Sequence, residues 1–154
     1  MFIFRWVLIN ELAIGNVPEN SINLNFLEKK GIKSILTLCS EEDFVTPDKD
    51  ILNIKLIRYV LPDHRSSKEI SDTQILDCLQ ILNNNMINGP VFVHCKAGME
   101  RSPLICMAWL MYKKNLSLTQ SLAYLMQVHQ STNPISEHLK ILENLNFMID
   151  PLKE

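Results

Sequence analysis

The chain has 154 residues, 47% of them hydrophobic and 21% charged, with a formal net charge of −2. A chain of this length forms one domain and buries about 70% of the surface its unfolded form exposes, so it needs neither disulfides nor a metal to hold a core. The near-neutral charge excludes general polyanion binding: no nucleic-acid partner is expected, and any anion must be recognised by a local site.

The four cysteines, Cys39, Cys78, Cys95 and Cys106, form no CxxC pair and match no zinc-binding spacing. No metal or cofactor is therefore expected. The opening "MFIFRWVLIN" is interrupted by Arg5 and lacks the pattern of a secretory signal. No apolar run approaches the ~20 residues of a membrane span. A reducing, cytoplasmic setting is the expectation.

In chain order, "FRWVLINELAIGNVP" reads as one or two short strands with a turn at Gly15-Asn16 and a stop at Pro18. "SINLNFLEKKGI" is a short helix with Ser21 as a candidate cap and Gly31 as its end. "IKSILTLC" is a buried strand, "SEEDFVTPDKD" a charged loop, and "LNIKLIRYVL" a further strand broken by "PDHRSS". The segment from Ser67 to Pro90 carries a helical apolar stripe, with Ser71 or Ser67 as its cap. "VFVH" is a four-residue buried strand. "SPLICMAWLMYKKN" reads as a helix with Ser102 as cap and Pro103 at the first helical position. "SLTQSLAYLMQVHQ" has Gln120 three residues after Ser117, the spacing of a capping box. "NPISEHLKILENLNFMID" is the last helix.

Strands alternate with helices and a run of helices follows. That order predicts an α/β fold: a central, mainly parallel, twisted sheet of four to five strands flanked by helices, in a single domain over residues 1–154. Such sheets bind ligands beyond the carboxyl ends of their strands, which is where "VFVH" runs into "CKAGMERS".

Between Cys95 and the next helix lie the amides of Lys96, Ala97, Gly98, Met99, Glu100 and Arg101. A tight loop entering a helix turns such amides inward as an anion-binding nest, reinforced by the helix N-terminus. Arg101 adds a planar fork for two oxygens of a tetrahedral anion. The same donors stabilise the charge of a thiolate at Cys95, set to attack phosphorus and form a cysteinyl phosphate. Ser102 is placed to hydrogen-bond the sulfur and assist its departure.

His94-Cys95-x-x-Gly98-x-x-Arg101-Ser102 resembles the HCxxGxxR(S/T) signature of the cysteine-dependent protein tyrosine phosphatase superfamily. The resemblance covers nearly the whole chain and is nearest to the compact dual-specificity class, because no residues are available for the added loop that deepens the pocket of the longer tyrosine-specific enzymes. It implies a phosphatase-type fold and hydrolysis of phosphomonoesters, most directly phospho-Tyr, phospho-Ser and phospho-Thr of proteins. It also implies that Asp63 of "LPDHR" is a general acid on a mobile loop, with Asp72 as the alternative. His94 would order the loop, and Asn133 would brace it, unless Asn133 merely caps the helix after Pro134. Cys39 would lie near Cys95 as a redox partner, or be a small packing residue. Lys96 resembles the lysine that phosphoinositide phosphatases carry after the nucleophile, although Met99 stands where those enzymes have a second basic residue.

Other residues are read from their setting. Glu100 is expected to turn outward and pair with a lysine or arginine. His64 either touches substrate or stands by, His129 and His138 are ordinary helix residues, and Cys78 and Cys106 belong to the core. The partner is thus a phosphorylated protein or a small phosphoester. Three alternatives stand beside the protein-phosphatase reading: a phosphatase of a phosphoinositide, sugar phosphate or RNA 5′ phosphate; a phosphate-binding module without turnover; and a rhodanese-like sulfur transferase. Arg101, Ser102 and Asp63 weigh against the last two.

Overall fold

The computed structural model describes residues 1–46 and 53–145. Five strands form one sheet: β1 (Phe4–Leu8), β2 (Leu12–Gly15), β3 (Ser34–Thr37), β4 (Lys55–Arg58) and β5 (Val91–His94), in the spatial order β1-β2-β5-β3-β4. β1 pairs antiparallel with β2, and every other pairing is parallel. This is the α/β architecture that the alternation of elements predicts.

The last strand in sequence is therefore the middle strand in space. Its four residues are fully buried, as expected for a strand covered on both faces. His94 at its carboxyl end stands in register with Gly15 of β2 and Thr37 of β3. The chain leaves β5 at Cys95, at the edge of the sheet where open α/β folds bind ligands.

Side-chain alternation along β5 divides the core. Val91, Val93 and Cys95 face a large cluster built with α2 (Asp72–Asn85), α3 (Arg101–Lys114), α4 (Leu118–Val128) and α5 (Ser136–Asn144). Phe92 faces a smaller cluster with Leu24 and Leu27 of α1 (Ser21–Lys29), where Phe2, Phe4 and Trp6 pack in edge and stacked geometries. α3 is the central helix: ten consecutive residues, Arg101 to Leu110, are buried. A helix apolar all round is one enclosed by neighbours, and this enclosure fixes the position of its first turn.

Several local expectations change. The β1–β2 turn lies at Asn10, whose φ of 59° is left-handed, and not at Gly15-Asn16. Asparagine tolerates that conformation, while Gly15 is a paired strand residue. Asn20, not Ser21, caps α1, its Oδ1 accepting from the Asn23 amide at 2.9 Å. Ser71 caps α2 in a reciprocal box with Gln74, and Ser117 does the same for α4 with Gln120. α5 begins after Ile135, and the expected continuation of this helix past Leu145 lies outside the described residues, as does part of the charged loop after Thr46. No helix among the described residues is long and apolar enough to cross a membrane.

Candidate active site

The loop from Cys95 to Glu100 has its two kinds of backbone group sorted. Every carbonyl except that of Ala97 has a donor among the described residues. Cys95 O accepts from His94 Nδ1 at 3.0 Å, and Lys96 O from the Val17 amide at 3.2 Å. Gly98 O accepts from His129 Nε2 at 2.6 Å, and Met99 O from the Asn133 amide at 2.8 Å. Glu100 O starts the helix through Leu104 N. The amides of residues 96–100, by contrast, donate to no acceptor among the described residues. With the carbonyls tied back, the loop presents its donors together at the amino end of α3, where helix polarity adds positive potential.

Gly98 makes this path possible. Its φ is +74°, and a Cβ placed there would lie 2.8 Å from Gly15 O, a backbone atom of β2 that cannot turn away. Gly98→Ala is therefore expected to lower stability by at least about 1–2 kcal/mol, from left-handed strain alone. It should also weaken inorganic phosphate binding, measured by calorimetry beside a denaturant titration. An alanine variant with parental stability and phosphate affinity would refute this account of the loop.

Cys95 is buried at the base of the loop, with Sγ 3.3 Å from Ser102 Oγ. Ser102 is not the helix cap expected from its place before Pro103. The helix starts two residues earlier, at Arg101, and the Ser102 hydroxyl is directed to the sulfur. Arg101 is buried, and its Nη1 donates to Leu61 O at 3.2 Å. One arm of the guanidinium is thus fixed to the chain just before Pro62-Asp63.

Burial holds the His94 ring neutral, its pKa lowered to about 4. A carbonyl only accepts, so Nδ1 carries the proton and donates to Cys95 O. Nε2 then accepts from the Thr37 hydroxyl at 2.8 Å. Both nitrogens are committed, leaving His94 no free base, and Phe44 closes over its ring edge-on with centroids 5.1 Å apart.

A cleft of about 450 Å³ opens over the loop, walled by Cys95, Lys96, Ala97, Met99, Glu100 and Arg101 on one side and by Asp63, His64 and Arg65 on the other. Asp63 is brought to the cleft, bonded to Arg65, which holds its carboxyl below the ordinary range. Asp72 instead sits in the first turn of α2, away from the cleft walls. Glu100 pairs through Oε1 with His64 Nδ1, not with a lysine or arginine, so the residue following Asp63 is joined to the loop that follows Cys95. Lys96 is exposed and lies 3.4 Å from Asp43.

Cys39 is fully buried at the end of β3, and burial pushes its thiol up to about 11, with the Cys95 charge contributing. Cys78 and Cys106 are buried in the core, as expected. No cluster of three or more potential metal ligands occurs among the described residues.

His129 is not an ordinary helix residue: it follows α4, is buried, and ties down Gly98 O. His138 is buried in α5, with Nδ1 unpartnered among the described residues and the charge of Glu100 acting on it. Thr37 was missed because its hydroxyl acts through His94. Asn133 does hold the loop, but through its backbone amide, and it caps no helix.

The chain also aligns with known proteins. The family model of the dual specificity phosphatase catalytic domain matches residues 13–148. The Dual specificity protein phosphatase PHS1 of Arabidopsis thaliana is 30% identical over 128 residues, covering 78% of this chain and 13% of that protein. Dual specificity protein phosphatase 1 of the same plant is 27% identical over 135 residues, covering 87% of this chain and 65% of that one. The chain thus spans a small part of the first relative and about two thirds of the second. Among solved structures, Tk-PTP in its active form superposes with a TM-score of 0.79 at 19% identity, covering 91% of this chain and 93% of that one. PTPMT1 in complex with PI(5)P superposes with a TM-score of 0.78 at 15% identity, covering 91% and 92%. A family match over nearly the whole chain, on a fold whose middle strand delivers the HCxxGxxRS loop to the ligand-binding edge, means that this chain belongs to the dual specificity phosphatase catalytic-domain family.

Proposed function

We propose that the chain is a phosphomonoester hydrolase that works through a cysteinyl-phosphate intermediate and acts on phosphorylated Tyr, Ser and Thr of proteins. The observation that carries this is the sorted loop: all carbonyls but that of Ala97 bonded, and the amides of residues 96–100 unpaired among the described residues, beside a buried cysteine. Such a surface suits the three equatorial oxygens of a phosphoryl group in transfer, whose charge spreads in the transition state. Cys95 Sγ attacks phosphorus, and Arg101 grips two oxygens with the arm not held by Leu61. Asp63 protonates the leaving oxygen, and the Ser102 hydroxyl stabilises the sulfur as water later displaces it. His94, His129 and Asn133 keep the loop in shape, and Lys96, Ala97, Met99 and Glu100 form its rim.

A phospholipid headgroup is the second reading. One relative, the Phosphatidylglycerophosphate phosphatase PTPMT2 of Arabidopsis thaliana, is 23% identical over 156 residues, and Lys96 stands exposed beside the nucleophile. A cytoplasmic location fits the free cysteines.

Asp63→Asn tests the acid. On alkyl esters such as a phosphoserine peptide, the variant is expected to lose about 10²–10⁴-fold in kcat/KM. On para-nitrophenyl phosphate it should lose far less, because that leaving group needs little protonation. Equal losses on both esters would make Asp63 structural and turn attention to Asp72. Running phosphopeptides beside phosphatidylglycerophosphate and phosphoinositides separates the two substrate readings.

A further inference from the structure

The assignment of Asp63 as general acid, on which this inference rests, meets an obstacle in the cleft. Both carboxylate oxygens are taken by one residue: the Arg65 amide donates to Oδ1 at 2.9 Å, while Nε and Nη2 donate to Oδ2 at 2.9 and 2.5 Å. A carboxylate gripped by a guanidinium fork is held ionised. An ionised acid has no proton to give.

The surrounding charges single out Arg65. On the phosphate side, His64, Cys95, Lys96, Glu100 and Arg101 share the cleft with Asp63. On the other side, a groove holds Lys68, Glu69, Glu137, His138 and Lys140. Among these described residues, only Arg65 bonds the carboxyl. The hydrogen bond to the Arg65 side chain is the largest influence lowering the Asp63 pKa, and Arg101 adds to it from farther away.

Arg65 is also the cleft arginine that is free to move. Arg101 is buried and anchored to Leu61 O. The Arg65 side chain is 63% exposed, and among the described residues its guanidinium bonds only Asp63, with Asp43 and Glu100 acting on it through space. A phosphoryl dianion seated on the loop amides offers that guanidinium more charge and more acceptor oxygens than one carboxylate does.

We propose that Arg65 is a positioning residue for the acid: it clamps Asp63 in the empty cleft, then moves its guanidinium to the phosphoryl oxygens of a bound substrate, leaving Asp63 free to be protonated. On substrate binding the Asp63 carboxylate takes one proton from solvent. As the Cys95 sulfur bonds to phosphorus, the ester P–O bond breaks and its electron pair stays on the leaving oxygen. That oxygen receives the proton, leaving Asp63 a carboxylate; water then attacks phosphorus, gives a proton to that carboxylate and breaks the S–P bond, its electron pair returning to the Cys95 sulfur. Once phosphate departs, Asp63 releases the proton to solvent and Arg65 recaptures the carboxylate. Arg65 thereby ties the acid's readiness to occupancy of the phosphate site.

The test is the pH dependence of kcat/KM on a phosphoserine peptide for the parent, Arg65→Gln, Arg65→Lys and Asp63→Asn. kcat/KM reports groups in the free enzyme, so its basic limb follows the loss of the proton from the clamped acid. Arg65 lowers the Asp63 pKa, so removing it lets Asp63 keep its proton to higher pH. The basic limb of Arg65→Gln is expected to move to higher pH, with KM raised by loss of a phosphate contact. Arg65→Lys should fall between the two, and Asp63→Asn should lack the limb. A limb in Arg65→Gln that coincides with the parent's, while Asp63→Asn lacks it, overturns the clamp and leaves the acid standing. A limb retained in Asp63→Asn overturns both.

A readout without turnover uses sulfate, which stays dianionic and brings no proton of its own. Calorimetric titration of Cys95→Ser with sulfate in buffers of different ionisation enthalpy should show proton uptake. That uptake should vanish in Cys95→Ser combined with Asp63→Asn. Binding without proton uptake in Cys95→Ser overturns the proposal.

Discussion

Cys95→Ser is expected to abolish phosphatase activity, by about four orders of magnitude or more, while the protein stays folded. The substitution keeps the size of the side chain at a buried position, so the core around Val93 and Ile105 remains filled. What disappears is the nucleophile. A serine hydroxyl must shed its proton to attack phosphorus, and it needs a base within reach to do so. His94 is the neighbouring imidazole, but its Nδ1 donates to the Cys95 carbonyl and its Nε2 accepts from Thr37. Among the described residues the site offers no relay to activate an alcohol. Hydrolysis of para-nitrophenyl phosphate, beside a thermal melt, decides the matter. Activity within tenfold of the parent would remove Cys95 from the chemistry.

Arg101→Lys is expected to cost about 10²–10³-fold in kcat/KM, the scale for removing an oriented donor from a transition-state cradle, with a higher KM for phosphopeptides. Charge is conserved, so the loss measures geometry. The guanidinium serves two masters at once, holding Leu61 O with Nη1 while facing the cleft. A lysine ammonium is a point donor on a flexible stem and cannot span both tasks. Losing the Leu61 contact also loosens the chain that leads into Asp63. The variant should therefore suffer on alkyl esters, which need the acid, more than on aryl esters. A loss of only a few fold on both would show that positive charge alone suffices.

The parts of the site that read directly from the sequence are those whose chemistry is contiguous. His94 to Ser102 carries nucleophile, glycine, arginine and serine on one short loop, and the apolar run "VFVH" announces the strand that delivers it. The sheet was legible for a similar reason, since strand and helix periods alternate along the chain. What did not read were contacts whose receiving group is a backbone carbonyl. His129 and the Asn133 amide hold Gly98 O and Met99 O, and every residue has a carbonyl, so no pattern of side chains marks them. Thr37 escaped because its value lies in the unprotonated nitrogen of a histidine on the neighbouring strand. Of the two expectations for Ser102, the contact with the sulfur is found and the helix cap is not, because Ser-Pro before an apolar run is also how helices are capped. Arg65 and Glu100 depended on how a loop folds back, which composition does not specify.

The fastening of the phosphate-binding loop also has a thermodynamic side. Its carbonyls are held by Val17 after β2, by His129 after α4 and by Asn133 ahead of α5. These anchors come from opposite ends of the chain and meet only when both are in place. The loop's hydrogen bonds therefore depend on segments far apart in the chain. An anion held by its amides binds the native chain and not the unfolded one, so its binding free energy adds to the stability of the molecule from Val17 to Asn133. Phosphate, the product of the proposed reaction, would in that sense also stabilise the fold.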